Sequence, residues 1–168
     1  MSPRRFILLA VLLFPAWFAN AAVQVGDAFP ALEAAGVAAL AKAGLPDTAG
    51  KVVLVDFWAS WCAPCKASFP MLAKLHADYA ARGLVIAAVG VDEKSSAAEG
   101  FVKKLALPFA PLHDRQQKLV KQVVVPAMPT SYLLGPDGRV RFIHQGFHGD
   151  TTEQELRREI EALLAPKP

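Results

Sequence analysis

The 168-residue chain is 54% hydrophobic and carries 18 Lys and Arg against 15 Asp and Glu, a formal charge of +3. This is the length and apolar content of one domain with one buried core, which excludes a disordered chain. No run of Lys and Arg interleaved with aromatics follows the N-terminus, so nothing points to nucleic acid.

Arg4 and Arg5 form a basic start, Phe6 to Phe14 an apolar core, and Ala19-Asn20-Ala21 an A-x-A cleavage site. Residues 1–21 are therefore expected to be a signal peptide cut after Ala21, leaving 22–168 as the exported domain, in the periplasm. The apolar stretch Phe6 to Phe18 contains Pro15 and is shorter than the about 20 residues of a spanning helix, so a cleaved signal is preferred to an N-terminal membrane anchor. Cleavage would remove two arginines and no acid, taking the charge from +3 to +1.

Residues 22–50 are rich in Ala and Gly, and Leu32 to Leu45 reads either as a short helix or as a poorly ordered approach to the core. The unbroken apolar run Lys51 to Trp58 reads as a central strand covered on both faces. A helix beginning at Cys62 carries Phe69, Leu72, Leu75 and Tyr79 at helical spacing and stops at Arg82-Gly83. Leu84 to Val91 is a second buried strand, so a right-handed parallel crossover is expected. Ser96-x-x-Glu99 has capping-box form and predicts a helix from 96 to 106, ended by Pro108. Phe109 to Leu112 is a candidate strand, and Asp114 a candidate cap for a helix to Gln122 with Leu119 and Val120 inward. Gly135-Pro136-Asp137-Gly138 between Thr130–Leu134 and Arg139–His144 predicts an antiparallel hairpin. Asp150 or Thr152 should cap a last helix presenting Leu156, Ile160, Leu163 and Leu164 on one face.

The only two cysteines, Cys62 and Cys65, lie in Trp-Cys-Ala-Pro-Cys between the first strand and its helix. A bridge across so short a loop removes little entropy from the unfolded chain and is a poor staple. At a helix start, free N–H groups and the helix dipole favour a thiolate on Cys62, the attacking species in disulfide exchange, while Cys65 can resolve a mixed disulfide. The competing use, zinc, needs four ligands at recognisable spacing, and no second Cys or Cys/His pair exists. No metal or other cofactor is expected beyond this redox-active pair.

The segment Val55 to Lys66 resembles the active-site segment of thioredoxins. Pro70 matches the proline that kinks the first active-site helix of that family, and Val125-Pro126-Ala127-Met128-Pro129-Thr130 resembles the loop whose proline is cis and lies against the disulfide. With the secretory start and the long segment before that loop, the resemblance narrows to TlpA/ResA-like thiol–disulfide oxidoreductases, over residues 50–165. It implies an α/β thioredoxin fold, a central mixed sheet flanked by helices, with a TlpA-type insertion between the first βαβ unit and the cis-proline loop. It also implies a monomer that exchanges disulfides with protein thiols, supplied with electrons by a membrane thiol transporter, with apocytochrome c as one candidate substrate class.

Asp56, in an apolar strand six residues before Cys62, is expected to be buried, with a raised pKa, and to take the proton of Cys65. The plainer alternative is an acid hydrogen-bonded to backbone at a strand end. Alignment puts Ala88 where thioredoxin has a lysine facing this acid, and Ser68 where ResA-like members have a glutamate. Trp58 reads as packing, and Trp61 as an apolar surface beside the reactive sulfur. Pro64 suits the first helical turn, and Ala63 adds no charge that would favour a strong oxidant. The resemblance suggests that a substrate segment pairs with the backbone at Met128, making Trp61, Met128, Pro129 and Thr130 the substrate-binding candidates. Asp92 and Glu93, at the end of the second strand, could approach the same edge of the sheet, but a solvated strand-to-helix loop is the preferred reading; Arg139 and Arg141 read as facing water, and His76, His113, His144 and His148 as surface or loop residues without metal-ligand spacing. A soft metal site from His76 and Met71 is set aside because a methionine on an apolar helical face is usually core. Three functions stay open: a reductase, which is preferred because the buried acid and neutral Ala-Pro pair resemble those of reducing family members; an oxidase or isomerase; and a non-catalytic binding protein.

Overall fold

The computed structural model describes residues 21–40 and 44–166. The expected signal peptide therefore lies, but for Ala21, outside the described residues. Among the described residues six strands form one mixed sheet: β1 (Ala38–Ala39), β2 (Val52–Trp58), β3 (Leu84–Gly90), β4 (Leu112–His113), β5 (Thr130–Leu134) and β6 (Val140–Gln145). Their order is β1-β4-β3-β2-β5-β6. β2 runs parallel to β3 and antiparallel to β5, and all seven of its residues are buried, as its continuous apolar sequence requires. Four helices among the described residues accompany the sheet: α1 (Ala63–Tyr79), α2 (Ser95–Val102), α3 (Lys118–Val123) and α4 (Asp150–Leu164).

Strand alternation divides β2 into two faces. Leu54, Asp56 and Trp58 point one way, and the Trp58 ring meets Phe69 of α1 at 5.5 Å and Phe101 of α2 at 5.2 Å. α4 lies beside α1 on that face, joined by Tyr79–Glu161 and Arg157–Asp78 bonds. Phe57 points the other way, onto Tyr132 and so toward Phe29 of the N-terminal segment. Where the indole of Trp58 crosses β3 there is room only for glycine: a Cβ on Gly90 would stand 2.8 Å from the ring.

The crossover from β2 through α1 to β3 forms as expected, closed by a 3-10 turn (Ala80–Arg82) and Gly83 in the left-handed region at φ 104°. α1 continues through Pro70. The β5–β6 hairpin also forms, closed by Gly135 and Arg139. Among the described residues of 32–45 no helix forms: Gly36 and Gly44 take positive φ, and Ala38–Ala39 pairs with β4 instead. The helix expected from 96 to 106 runs from Ser95 to Val102, capped by no side chain, and Ala106 at φ 45° turns the chain away. The short strand expected at 109–112 is Leu112–His113. Asp114 does cap, but at a distance, accepting from the N–H groups of Lys118 and Val120. At α4 the first residue outside the helix is Gly149. Asp150 adds negative charge to the first turn, and Thr152 accepts a bond from the His148 N–H.

Candidate active site

The β2–α1 junction delivers the cysteines. Cys62 has extended backbone and stands immediately before α1, where its Sγ accepts the N–H of Cys65 at 3.2 Å. The two sulfurs are bonded at 2.01 Å. In the reduced form the same N–H and the positive end of a 17-residue helix face a developing thiolate. Pro64 occupies a first-turn position where its missing N–H costs nothing, and Ala63 beside it is exposed and small. Cys65 is fully buried and Cys62 is 5% exposed, so the sulfur of Cys62 is the one a partner can reach.

A groove of about 500 Å³ passes over that sulfur, walled by Trp61 to Pro64 on one side and Val125 to Met128 on the other. Trp61 is 69% exposed, whereas Trp58 is wholly buried as packing. The Met128–Pro129 peptide is cis. Thr130 differs from its expected role: it is buried, and its hydroxyl is committed to the Ala127 carbonyl at 2.8 Å, so it shapes the loop and offers no side chain to a substrate.

Asp56 is 1% exposed and shares a sheet face with Trp58 and hence with α1. Its neighbours in register are Ala88 on β3 and Ser131 on β5. Among the described residues no cation balances it. The hydroxyl of Ser131 donates to Oδ1 at 2.5 Å, while Oδ2 has no partner. Burial pushes the carboxyl from 3.8 up to about 7, against the smaller lowering effect of the Ser131 bond. The backbone-bonded alternative for Asp56 is thus not what forms. Ser68, in place of an acid, is buried and donates to the Cys65 carbonyl at 2.9 Å.

Asp92 corrects the reading of a solvated loop. It is 4% exposed and accepts from both the N–H and the hydroxyl of Ser60, at 2.9 and 2.6 Å, tethering the turn that leads into Cys62. Glu93 beside it is exposed. His113 is likewise not a surface residue: it is 5% exposed, with Nε2 at 2.6 Å from the Asp92 carbonyl. His144 is half-buried against Glu159 of α4 at 2.7 Å, and His76 packs its ring on Phe109, whereas His148 is exposed. Arg139 is exposed and donates to the Gly26 carbonyl, and Arg141 pairs with Asp137. Ser60, Asp92 and Ser131 carried no local signal. Each becomes legible only once the strand registers are known.

Among the described residues no group of three His, Cys, Asp or Glu could hold a metal ion, and no helix is long and apolar enough to cross a membrane. The redoxin family profile matches residues 24–160. The chain belongs to the redoxin family. This redoxin is 33% identical over 130 residues to thiol-disulfide oxidoreductase ResA of Oceanobacillus iheyensis, covering 76% of this chain and 68% of that one. It is 32% identical over 119 residues to ResA of Geobacillus kaustophilus, covering 71% and 67%. A solved structure from Chlorobium tepidum, described as a thiol:disulfide interchange protein DsbE, superposes with a TM-score of 0.77 at 33% identity, covering 86% of this chain and 100% of that one. The redoxin is a thiol–disulfide oxidoreductase of the thioredoxin superfamily, and its redox group is its own Cys62–Cys65 pair.

Proposed function

We propose that this redoxin is an exported reductase of protein disulfides, acting in the periplasm after removal of residues 1–21. The observation that carries the reading is a reachable sulfur at a helix start, backed by a buried acid whose pKa stands near neutrality. The Cys62 thiolate attacks a substrate disulfide, forming a Cys62–substrate bond and expelling one substrate thiolate. Cys65 then loses its proton to Asp56 and attacks Cys62. The Cys62–Cys65 bond forms, the second substrate sulfur leaves as thiolate, and two electrons have passed from protein to substrate. Trp61, the Met128 backbone and Pro129 hold the substrate segment along the groove. Trp58, Ala63, Pro64 and Pro70 build the junction.

The neutral Ala63–Pro64 pair supports the reducing direction, since a cation there would stabilise the thiolate and make a stronger oxidant. The segment carrying α2, β4 and α3 is read as the TlpA-type insertion, and a membrane thiol transporter as the electron donor. Apocytochrome c cysteines awaiting haem are the substrate class the family likeness favours. Equilibration with dithiothreitol or glutathione buffers gives the deciding number. A potential near about −270 mV supports a reductase, and one near about −120 mV overturns it in favour of an oxidant. A Cys65→Ser variant in the native host should accumulate mixed disulfides identifiable by mass spectrometry, whereas a non-catalytic binder would trap none. Sequencing of the mature N-terminus should read from Ala22.

A further inference from the structure

The residue opposite Asp56 across the β2–β5 ladder is Ser131. Facing residues of an antiparallel pair point to the same side of the sheet, so the two side chains meet inside the protein, where Ser131 is 6% exposed. A serine hydroxyl has one hydrogen to give, and here it is given to Oδ1 of Asp56. Oδ2 meets no donor or acceptor. We propose that Ser131 is the positioning residue of this site: its hydroxyl engages Oδ1 of Asp56 and thereby fixes Oδ2 as the atom that takes the proton of Cys65.

The assignment rests on the reading of Asp56 as proton acceptor and adds which oxygen acts and what holds it. A hydroxyl donating to Oδ1 is compatible with both states of the acid. When the carboxyl is charged it is a charge-assisted bond, and when the proton sits on Oδ2 the same bond persists without reorientation. An apolar residue at 131 would leave both oxygens without a partner in the interior, and the charged form would be disfavoured further.

The groups around the pair are few. β3 presents Ala88, and α2 presents Phe101 against Trp58. α1, packed on the same face of the sheet through Phe69 and Trp58, carries the buried Cys65 and Ser68, with Lys66 turned out over the Phe101 ring. Beyond Ser131 in the same row stands His144 of β6, engaged by Glu159 and, at 3.6 Å, by Glu155 of α4. Among the described residues, therefore, Asp56 is tuned by burial and by one hydroxyl, with no cation in direct contact.

Stopped-flow mixing of the reduced protein with one equivalent of Ellman's reagent reads the step directly. One thionitrobenzoate is released as Cys62 attacks and a second as Cys65 resolves. In Ser131→Ala the first phase should be unchanged, and the rising limb of the second phase against pH should move up by about one pH unit, the scale of one hydrogen bond to a charged group. Ser131→Thr should restore the parent profile. Should the alanine variant fail to fold, Ser131→Thr and Ser131→Val, alike in shape but differing in the hydroxyl, make the same comparison. Asp56→Asn separates the two ideas. If it leaves the second-phase profile as in the parent, Asp56 is not the acceptor and the reading beneath this one fails. If it abolishes the limb while Ser131→Ala keeps the parent limb, only the serine assignment is overturned. A shift in Ser131→Ala that Thr does not reverse also overturns it, since packing rather than the hydroxyl would then be the cause.

Discussion

Replacing Asp56 by Asn should stabilise the oxidised protein at alkaline pH and have a smaller effect at acid pH. An acid whose folded pKa lies above its unfolded value binds its proton more tightly when folded. Its contribution is therefore most favourable below the unfolded pKa and is lost as pH rises through the folded one. For Asp56 that window runs from 3.8 to about 7. The displacement corresponds to roughly 4 kcal/mol in full, of which about 1.5 is already lost by pH 5, leaving roughly 2.5 to appear between pH 5 and pH 8.5. Asparagine imitates the protonated acid: its Oδ1 keeps the Ser131 bond, and its Nδ2 replaces an oxygen that had no partner. The fixed cost of an imperfect fit is common to both pH values and cancels in the comparison. Urea unfolding of oxidised parent and variant at the two pH values measures the effect. With a slope of about 2 kcal/mol per molar, the variant's midpoint should gain roughly 1 M relative to the parent on going from pH 5 to pH 8.5. Equal midpoint differences at both values would refute the claim that this carboxyl is buried without a countercharge.

Three further outcomes are expected. Asp92→Ala should lower stability by about 1–3 kcal/mol in urea unfolding, because the Ser60 N–H and hydroxyl lose their acceptor, and amide exchange at Ser60 should accelerate beyond that at Lys51. Trp61→Ala should change stability by no more than about 0.5 kcal/mol, since the ring is 69% exposed, yet slow insulin reduction several-fold while leaving reaction with Ellman's reagent nearly unchanged. His144→Ala should lower stability by about 1–3 kcal/mol, because Glu159 loses its 2.7 Å partner in a largely buried position, and Glu159→Gln in the same background should recover part of the loss, measured as a double-mutant cycle.

The elements that position the cysteines were legible because each rests on local pattern. The run Val52 to Trp58 has no polar residue other than Asp56, Gly83 supplies a stop that only a left-handed residue provides, and Gly135 to Gly138 dictates a hairpin. What escaped rests on contacts between distant segments. Asp92-Glu93-Lys94 reads as a charged loop, yet its first residue is drawn inward by Ser60, 32 positions earlier. Ser131 and Asp56 are 75 positions apart, and only strand register makes them neighbours. His113 lies one residue past the expected strand 109–112 and reads as a loop residue, yet it belongs to β4 and its Nε2 reaches the Asp92 carbonyl, 21 positions earlier. The alanine-rich stretch before β2 misled in the opposite sense. Its helix propensity is real, but Gly36 and Gly44 interrupt it and the edge of β4 offers hydrogen bonds instead.

The contact of Gly90 with the Trp58 indole makes that pair a keystone for engineering this scaffold. Even a methyl group at position 90 would press the ring off its bed, and that ring packs on Phe69, whose helix has the cysteines at its head. Library designs that vary Ala63 and Pro64 would retune the sulfurs directly, whereas a change at position 90 would reach them only through a single aromatic lever.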